Sequence, residues 1–277
     1  MERKKNSVLK NKKLFLLDID GTVAIGNKVI EGTFEFLDYV SHNKGKYIFI
    51  TNNSSKSIRT YVENFRKIGF EVDNNNFITA SYATAVYLKE KYKDKKIFVL
   101  GTKSFLNELK NFNLNTTEDI EEEIVCSVIG YDNELTYKKI EKVCELLIKN
   151  KDMDYIATNP DLVCPVSFGY VPDCGSICDM IENATNRKPV YMGKPNTFIT
   201  DMCLKKYNYK AEETLIIGDR LYTDIACGVN SNIETCLVLT GEAKIKNVTK
   251  SKFKPTFIFE NINELYIELK KQTTDIK

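Results

Sequence analysis

Short apolar runs recur along the chain, separated by segments whose apolar positions repeat with helical spacing. The runs are continuous rather than alternating, which is typical of strands covered on both faces. Because strand–helix–strand repetition favours parallel pairing with right-handed crossovers, the pattern predicts an α/β fold built on a parallel sheet. The predicted strands are 14–17, 47–50, 97–100, 125–129, 214–217, 235–239 and 257–259, and the predicted helices are 33–43, 57–68, 82–93, 136–149 and 196–208.

Three of the predicted strands end in polar residues or glycine. Asp18 follows the first run, Thr51 follows the second, and Gly218 and Asp219 follow the run at 214–217. In an open α/β sheet, ligands bind beyond the carboxyl ends of the strands. Three strands therefore bring polar groups to the edge of the sheet where a functional site is expected.

The strongest chemical signal is the segment Asp18-Ile19-Asp20-Gly21-Thr22. Two carboxylates two residues apart point in the same direction if strand geometry continues through them. Two like charges placed together are costly unless a cation or protons compensate them. The alternative is an idle, solvated strand end, but the apolar strand directly before Asp18 favours a functional pair.

A second acidic segment runs from Gly218 to Asp224. We expect Asp219 at a strand tip and Asp224 at the start of the next helix, where with Asp18 they would form an all-oxygen cage. Carboxylate oxygens suit Mg²⁺, which keeps several waters and prefers a phosphate partner. Taken alone, a turn at Asp219 and a helix N-cap at Asp224 explain the segment as well as a metal site does. The aspartates of the first strand favour the metal site.

Two further segments suit an anion. Thr51 begins the run Thr51-Asn52-Asn53-Ser54-Ser55, in which a hydroxyl and successive backbone N–H groups precede a predicted helix. Lys194 lies between a short apolar run and the helix at 196–208. The simpler interpretation of the first segment is a capping loop, and the simpler interpretation of Lys194 is a solvated charge.

Composition narrows the class of protein. The 277 residues are 43% hydrophobic and 28% charged with a net charge of +2, so the chain is globular, and neither a nucleic-acid nor a membrane partner is expected. Eight cysteines without a C-x-x-C pair and a single histidine, His42, argue against a zinc site and a Cys/His nucleophile. The basic N-terminal segment is not followed by an apolar core, so we expect no secretory signal. We expect a reduced, cytoplasmic location instead.

In order, these segments resemble the four motifs of the haloacid dehalogenase (HAD) superfamily of phosphotransferases. The surrounding residues narrow the resemblance to its subclass IIA, the NagD-like and para-nitrophenylphosphatase-like group. The resemblance implies a Rossmann-like parallel-sheet core at 1–82 and 183–277 with an inserted α/β cap domain at 83–182. The residues that narrow it are 157–161, 174–177, 191–195 and 218–225.

The resemblance also implies a role for each candidate residue. The implied activity is Mg²⁺-dependent hydrolysis of a small phosphorylated metabolite through an aspartyl-phosphate intermediate. The candidate substrates are a sugar phosphate, a nucleoside monophosphate, phosphoglycolate, glycerol phosphate or pyridoxal phosphate. The roles are Asp18 as nucleophile, Asp20 as general acid and base, Asp18, Asp20 and Asp219 as metal ligands with Asp224 close by, Thr51, Asn52 and Lys194 on the phosphoryl oxygens, and Asn159 and Asp161 on the leaving group.

Other functions remain open from the sequence. A phosphomutase or another phosphotransferase of the same superfamily also needs an acid and base at Asp20. A non-catalytic protein that binds a phosphorylated metabolite is the alternative outside enzymes. The physiological substrate and the oligomeric state are also open, and a homodimer is possible.

Overall fold

The computed structural model describes residues 9–166 and 168–274, so most of the basic N-terminal segment lies outside the described residues. The strands are β1 Leu14–Leu17, β2 Ala24–Ile25, β3 Lys28–Val29, β4 Lys46–Thr51, β5 Phe77–Thr79, β6 Lys96–Leu100, β7 Thr116–Thr117, β8 Ile124–Ile129, β9 Asp154–Ala157, β10 Val163–Val166, β11 Gly169–Pro172, β12 Val190–Tyr191, β13 Thr214–Gly218, β14 Glu234–Val238 and β15 Phe257–Phe259. The helices are α1 Thr33–His42, α2 Ile58–Lys67, α3 Ala80–Tyr92, α4 Lys103–Asn111, α5 Tyr137–Lys149, α6 Cys174–Thr185, α7 Phe198–Tyr207, α8 Ala226–Asn230, α9 Ile245–Lys250 and α10 Ile262–Thr274. Within the described ranges, no helix combines the length and the apolar content that crossing a bilayer requires.

The chain divides into two compact units. The first unit comprises 1–50, 62–78 and 195–277, and the second comprises 51–61 and 79–194. The second unit thus contains the whole predicted cap span, 83–182, together with shorter flanking segments. The boundaries that the resemblance implies for the cap stay a prediction.

The first unit is built on a sheet with the strand order β15-β14-β13-β1-β4-β5. Strand β1 lies between β13 and β4 and pairs with both in parallel, and all four of its residues are buried. Its continuous apolar run is what a central strand covered on both faces requires. The backbone N–H of Asp18 donates to the carbonyl oxygen of Ile217 at 2.9 Å, which places the residues that follow β1 and β13 side by side.

The second unit has its own parallel sheet, with the strand order β7-β6-β8-β9-β12. Buried clusters that contain Leu146 and Ile177 on one side, and Leu88 and Leu109 on the other, pack helices against both faces. In chain order the strands run 2-1-3-4-5, which is the flavodoxin-like arrangement. The predicted fold class, α/β with parallel sheets, is confirmed.

Threonine side chains begin several of these helices. Thr79, Thr102 and Thr136 each accept a hydrogen bond from a backbone N–H three residues later, at 3.0, 3.1 and 3.4 Å. Such caps satisfy N–H groups that have no partner within the helix. Helices α3 and α4 therefore have defined starts, α3 directly after β5 and α4 after a two-residue connection from β6.

Candidate active site

Three carboxylates of the first unit form one group, which we call the carboxylate cluster. Asp18, Asp219 and Asp224 each offer an oxygen, and these oxygens lie within 4.8 Å of one another. Asp219 and Asp224 are 2% and 0% exposed, whereas Asp18 is half-buried. The structure therefore brings together three of the four predicted metal ligands, two of them deep and one open to solvent.

The turn after β1 holds Asp20. The backbone N–H groups of residues 22, 23 and 24 all donate to the carbonyl oxygen of Ile19, and Gly21 has a φ of +85°. This tight turn needs glycine, because a side chain is strained at that φ. Asp20 is half-buried and its carboxylate is not a member of the cluster, so its predicted contribution to a metal would come from its backbone carbonyl.

Asp219 is enclosed by backbone. Its Oδ2 accepts a hydrogen bond from the backbone N–H of Glu242 at 2.6 Å. A Cβ added at Gly21 would lie 2.8 Å from the same oxygen, and one added at Gly241 would lie 1.9 Å from it. Two glycines and a backbone donor therefore fix this carboxylate, and larger residues at either glycine would displace it.

Asp224 lies inside a π-helical turn, Leu221–Ile225, that runs into α8. It therefore does not cap that helix, and the N-cap interpretation is wrong. Its Oδ2 accepts from the backbone N–H of Arg220 at 3.0 Å, and a Cβ at Gly218 would lie 2.3 Å from its Cβ. π-helical turns occur frequently at functional sites, which agrees with the place of Asp224 in the cluster.

The donor set of the cluster fits Mg²⁺. All three side chains offer hard oxygen ligands, and among the described residues no histidine or cysteine joins them. The two glycines and the Glu242 N–H that enclose Asp219 fix its carboxylate in one position, and such supporting contacts orient metal ligands in proteins. The residues present therefore suit the metal that the resemblance implies.

The predicted anion loop belongs to the second unit. The hydroxyl oxygen of Thr51, the last residue of β4, accepts from the backbone N–H of Asn53 at 3.2 Å. The Oδ1 of Asn53 accepts from the backbone N–H of Ser55 at 3.0 Å. Thr51 and Asn52 are 4% and 6% exposed, so short-range side-chain contacts shape this loop and bury its start.

Lys194 is brought to this loop by Asn52. The side-chain Nδ2 of Asn52 donates to the carbonyl oxygen of Lys194 at 2.9 Å, and its Oδ1 accepts from the backbone N–H of Lys194 at 2.9 Å. Lys194 is 1% exposed, so it is not the solvated lysine of the simpler interpretation. The three predicted phosphate-binding residues thus lie in one unit, and two of them, Asn52 and Lys194, are bonded to each other.

Asn159 and Asp161 join the same group. They are 0% and 2% exposed, and the Oδ2 of Asp161 accepts from the Nδ2 of Asn159 at 2.9 Å and from the Nδ2 of Asn52 at 2.8 Å. Contact with a leaving group stays a prediction for this pair. Their burial and their bonds to Asn52 make them part of the interior of the second unit.

Sequence reasoning missed several supporting residues. Ser54 and Asp173 bond to the group around Asn159, and Gly241 and Glu242 enclose Asp219. Small polar and glycine residues shortly after a strand are the signal that singles out such positions, and Gly241 carries it after β14. Partners this far apart in sequence are visible only in the folded chain.

Burial makes four of the cysteines unsuitable as nucleophiles. All eight are free, and burial raises the pKa of the Cys126, Cys174, Cys203 and Cys236 thiols above the ordinary value. A thiol attacks as its thiolate, so these four are inert near neutral pH.

Comparison with known proteins agrees with this geometry. The family model described as haloacid dehalogenase-like hydrolase matches residues 15–115, and a model described as HAD-hydrolase-like matches 191–265. An acid sugar phosphatase of Staphylococcus epidermidis is 30% identical over 263 residues, which are 95% of this chain and 100% of that relative. The chain therefore belongs to the haloacid dehalogenase-like hydrolase family.

Two solved structures narrow the group. A 4-nitrophenylphosphatase from Thermotoga maritima has a TM-score of 0.89 and 36% identity, with 95% of this chain and 100% of that one covered. NagD from Escherichia coli K-12 has a TM-score of 0.82 and 30% identity, with 91% and 98% covered. The predicted membership of the NagD-like, para-nitrophenylphosphatase-like group is confirmed, and with it the prediction of a HAD-type phosphatase with a cap domain.

Proposed function

We propose that this protein hydrolyses small phosphomonoesters with the help of Mg²⁺, through a phosphoryl group carried on Asp18. The observation that carries the proposal is the carboxylate cluster. Asp219 and Asp224 are buried deeply enough to hold a cation, while Asp18 keeps an exposed surface from which it can attack.

In the first step, a carboxylate oxygen of Asp18 forms a bond to phosphorus and the bond from phosphorus to the ester oxygen breaks. The departing oxygen takes a proton from the carboxyl group of Asp20. Covalent catalysis of this kind replaces one difficult displacement with two easier ones. Asp20 suits the acid because it is the first carboxyl group after the nucleophile and lies in a tight, fixed turn.

In the second step, a water oxygen attacks the same phosphorus and gives its proton to the Asp20 carboxylate. The bond between phosphorus and Asp18 breaks, which releases inorganic phosphate and restores the Asp18 carboxylate. Asp20 is thereby protonated again, so the two steps balance and the cycle can repeat.

The remaining residues would bind charge. Asp18, Asp219 and the Asp20 carbonyl would hold Mg²⁺, with Asp224 close by. When bound, the metal neutralises phosphoryl oxygens and orients the phosphoryl group. Thr51, the Asn52 backbone and the Lys194 ammonium are assigned to the other phosphoryl oxygens, where fixed donors stabilise the charge of the transition state.

The substrate class follows from relatives and from the cap. The Staphylococcus relative named an acid sugar phosphatase supports a sugar phosphate, and the solved 4-nitrophenylphosphatase from Thermotoga maritima supports activity on para-nitrophenyl phosphate. We assign the choice among natural substrates to the predicted cap at 83–182. The free cysteines support a reduced, cytoplasmic location.

Release of inorganic phosphate from para-nitrophenyl phosphate tests the proposal. We expect turnover by the wild-type protein with Mg²⁺ and none with excess chelator, and restoration on readdition of the metal. Asp18→Asn should abolish turnover, while the control Asp201→Asn, which changes an exposed aspartate of α7, should keep it. Binding of substrate without phosphate release would contradict the proposal, as would transfer of phosphate only to a second sugar phosphate.

A further inference from the structure

The carboxyl edge of the second sheet holds a buried set of polar side chains, which we call the amide network. Each member is at most 6% exposed. Buried polar groups persist only when their hydrogen bonds are made, so the bonds between members determine how each side chain is oriented. The members are Asn52, Ser54, Thr158, Asn159, Asp161 and Asp173.

Asn52 bonds to Lys194 as a neighbouring strand would. Its amide oxygen accepts from the Lys194 N–H and its amide nitrogen donates to the Lys194 carbonyl, both at 2.9 Å. A Cβ added at Gly193 would lie 2.5 Å from the Asn52 Oδ1, so glycine is required for this close approach. One side chain therefore fixes the backbone from which the Lys194 side chain extends.

This arrangement works with only one orientation of the Asn52 amide. If the amide turned over, its NH₂ group would meet the Lys194 N–H and its oxygen would meet the Lys194 carbonyl. The Oδ2 of Asp161, at 2.8 Å from the Asn52 Nδ2, selects the correct orientation because a carboxylate only accepts. Asp161 therefore determines how Asn52 binds Lys194.

Asn159 holds Asp161 in the same manner. The two hydrogens of its Nδ2 go to the Oδ2 of Asp161 at 2.9 Å and the Oδ1 of Asp173 at 3.2 Å. Its Oδ1 accepts from the hydroxyl of Thr158 at 2.8 Å. Both ends of the Asn159 amide are thus used within the protein.

The same reasoning determines which group donates in the hydrogen bonds of Thr158 and Ser54. Because the single hydroxyl hydrogen of Thr158 goes to Asn159, the 2.8 Å bond between Thr158 and Ser54 is donated by Ser54. The hydroxyl of Ser54 in turn accepts from the backbone N–H of Tyr131 at 2.9 Å. The segments after β8, β9 and β12 are thereby joined to the loop at 52–55.

That loop lies where open α/β sheets of this strand order bind ligands. The crevice outside the carboxyl ends of β6 and β8 is the point at which the strand order reverses. Here Ser54 bonds to Tyr131 after β8, and Ser55 accepts through its carbonyl from the hydroxyl of Thr102 after β6 at 3.5 Å. The second unit thus uses its own ligand crevice to hold the phosphate-binding loop.

We propose that Asp161, supported by Asn159, is a positioning residue that orients Asn52 and through it fixes Lys194. The proposal rests on the proposed function, since it takes Lys194 as a phosphate-binding group. Phosphate is common to every substrate, so loss of Asp161 should lower the activity on all of them by the same factor. A contact with the leaving group would instead change activity by a factor that depends on the substrate.

The test compares Asp161→Ala, Asp161→Asn and a matched control, Arg187→Gln. Arg187 is also a polar residue of the second unit, and it donates to the carbonyls of Leu147, Asn150 and Met153 at 3.3, 3.4 and 2.6 Å, away from the network. Two quantities are measured on each folded protein: the exchange rate of the Lys194 backbone amide by NMR, and kcat/KM for para-nitrophenyl phosphate and for glycerol phosphate.

We expect Asp161→Ala to raise the exchange rate of the Lys194 amide and to lower kcat/KM by roughly 10- to 100-fold, the cost of leaving a buried partner unpaired. The ratio of kcat/KM between the two substrates should stay within about twofold. Asp161→Asn should recover most of both, because an amide oxygen can accept the same two bonds. Arg187→Gln should change neither, whatever it costs in stability.

A changed ratio between the substrates would overturn the proposal in favour of a leaving-group contact, and an unchanged Lys194 exchange rate would overturn it outright. If Asp161→Ala does not fold, Asn159→Ala should give the same pattern with smaller size. Failure of the proposed function would appear separately, as a wild-type protein without turnover, and the exchange measurement would still decide whether Asp161 fixes Lys194.

Discussion

Glu108 is a buried carboxyl group in the second unit, and its titration makes stability depend on pH. It lies in α4 with 7% of its surface exposed, and its Oε2 has no hydrogen-bond partner among the described residues. Burial raises the pKa of Glu108 from 4.5 to about 7, although a hydrogen bond with Ser81 acts in the opposite direction. The folded protein therefore holds this proton more tightly than the unfolded chain does.

The size and sign of the effect follow from the two pKa values. Below pH 4.5 both states are protonated and the group costs nothing; above pH 7 both are ionised and the cost is complete. A shift of this size corresponds to about 3 kcal/mol, with about 0.8 kcal/mol already present at pH 5. Replacing Glu108 with glutamine should therefore change the free energy of unfolding more favourably at pH 8 than at pH 5, by about 2.5 kcal/mol.

The assay is thermal unfolding of wild type and Glu108→Gln at pH 5 and pH 8. The change in Tm caused by the substitution should be more favourable at pH 8 by roughly 5–10 °C, for a cooperative body of about 150–250 residues. Any pH-independent cost of burying the amide cancels in this comparison. The control is Glu90→Gln, because Glu90 is an exposed residue of α3 whose carboxylate is already hydrated. The change in Tm that this substitution causes should be nearly the same at the two pH values.

An equal change in Tm at the two pH values would refute this reasoning. It would mean that the Glu108 carboxyl is hydrated in solution or has a cationic partner.

Three further outcomes concern the carboxylate cluster. Gly241→Ala would place a Cβ 1.9 Å from the Asp219 Oδ2, and we expect the Mg²⁺ concentration for half-maximal activity to rise by roughly 10- to 100-fold. Gly69→Ala, also in the first unit, is the control: a Cβ there meets only the Phe34 ring, at an ordinary 3.5 Å. The φ of +100° strains any side chain at this position, so the substitution should lower Tm without changing the metal requirement. Ca²⁺ should support turnover poorly in a titration against Mg²⁺, because it is larger and tolerates looser geometry; equal rates would contradict a site shaped for magnesium. Asp219→Asn should raise the Mg²⁺ concentration for half-maximal activity, while the folded protein keeps a Tm close to that of wild type. An unchanged Mg²⁺ titration would exclude Asp219 as a ligand.

The buried strands could be predicted from the sequence because a short continuous apolar run suits a strand that is covered on both faces. Strand β1 begins and ends at the predicted residues, β8 begins one residue earlier than predicted, and β4 is one residue longer at each end. The elements that were missed lack such a run. Helix α4 is nine residues long and mostly polar, and β10 and β11 form an exposed antiparallel hairpin. For these, contacts made after folding decide the structure.

The candidate site likewise has residues that could be predicted from the sequence and contacts that could not. The aspartates could be found because they directly follow central strands, and the chemistry of paired carboxylates restricts what they do. The bond between Asn52 and Asp161 could not be found, because it joins residues 109 positions apart. Polar residues beside a proline, as at Asn159, are typical of loops, but only the folded structure shows that this loop is buried and that its hydrogen bonds are made within the protein.

In the proposed mechanism Asp18 carries the phosphoryl group while Asp20 moves the proton, and Asp20→Asn separates the two roles. para-Nitrophenolate is a stable anion and leaves without much help from an acid, but attack of water on the phosphorylated Asp18 still needs a base. General acid and base catalysis is typically worth about 10²–10⁴-fold in rate, so the second step should become slow while the first stays fast. With an alkyl phosphate, the first step also needs the acid.

The measurement is stopped-flow absorbance of Asp20→Asn mixed with para-nitrophenyl phosphate, with acid quenching and mass spectrometry of the peptide that contains Asp18. We predict a rapid burst of about one nitrophenolate per active site, slow turnover afterwards, and phosphate on Asp18 during the burst. An alkyl phosphate should give no burst. Steady turnover at the wild-type rate, or phosphate on a residue other than Asp18, would contradict the account.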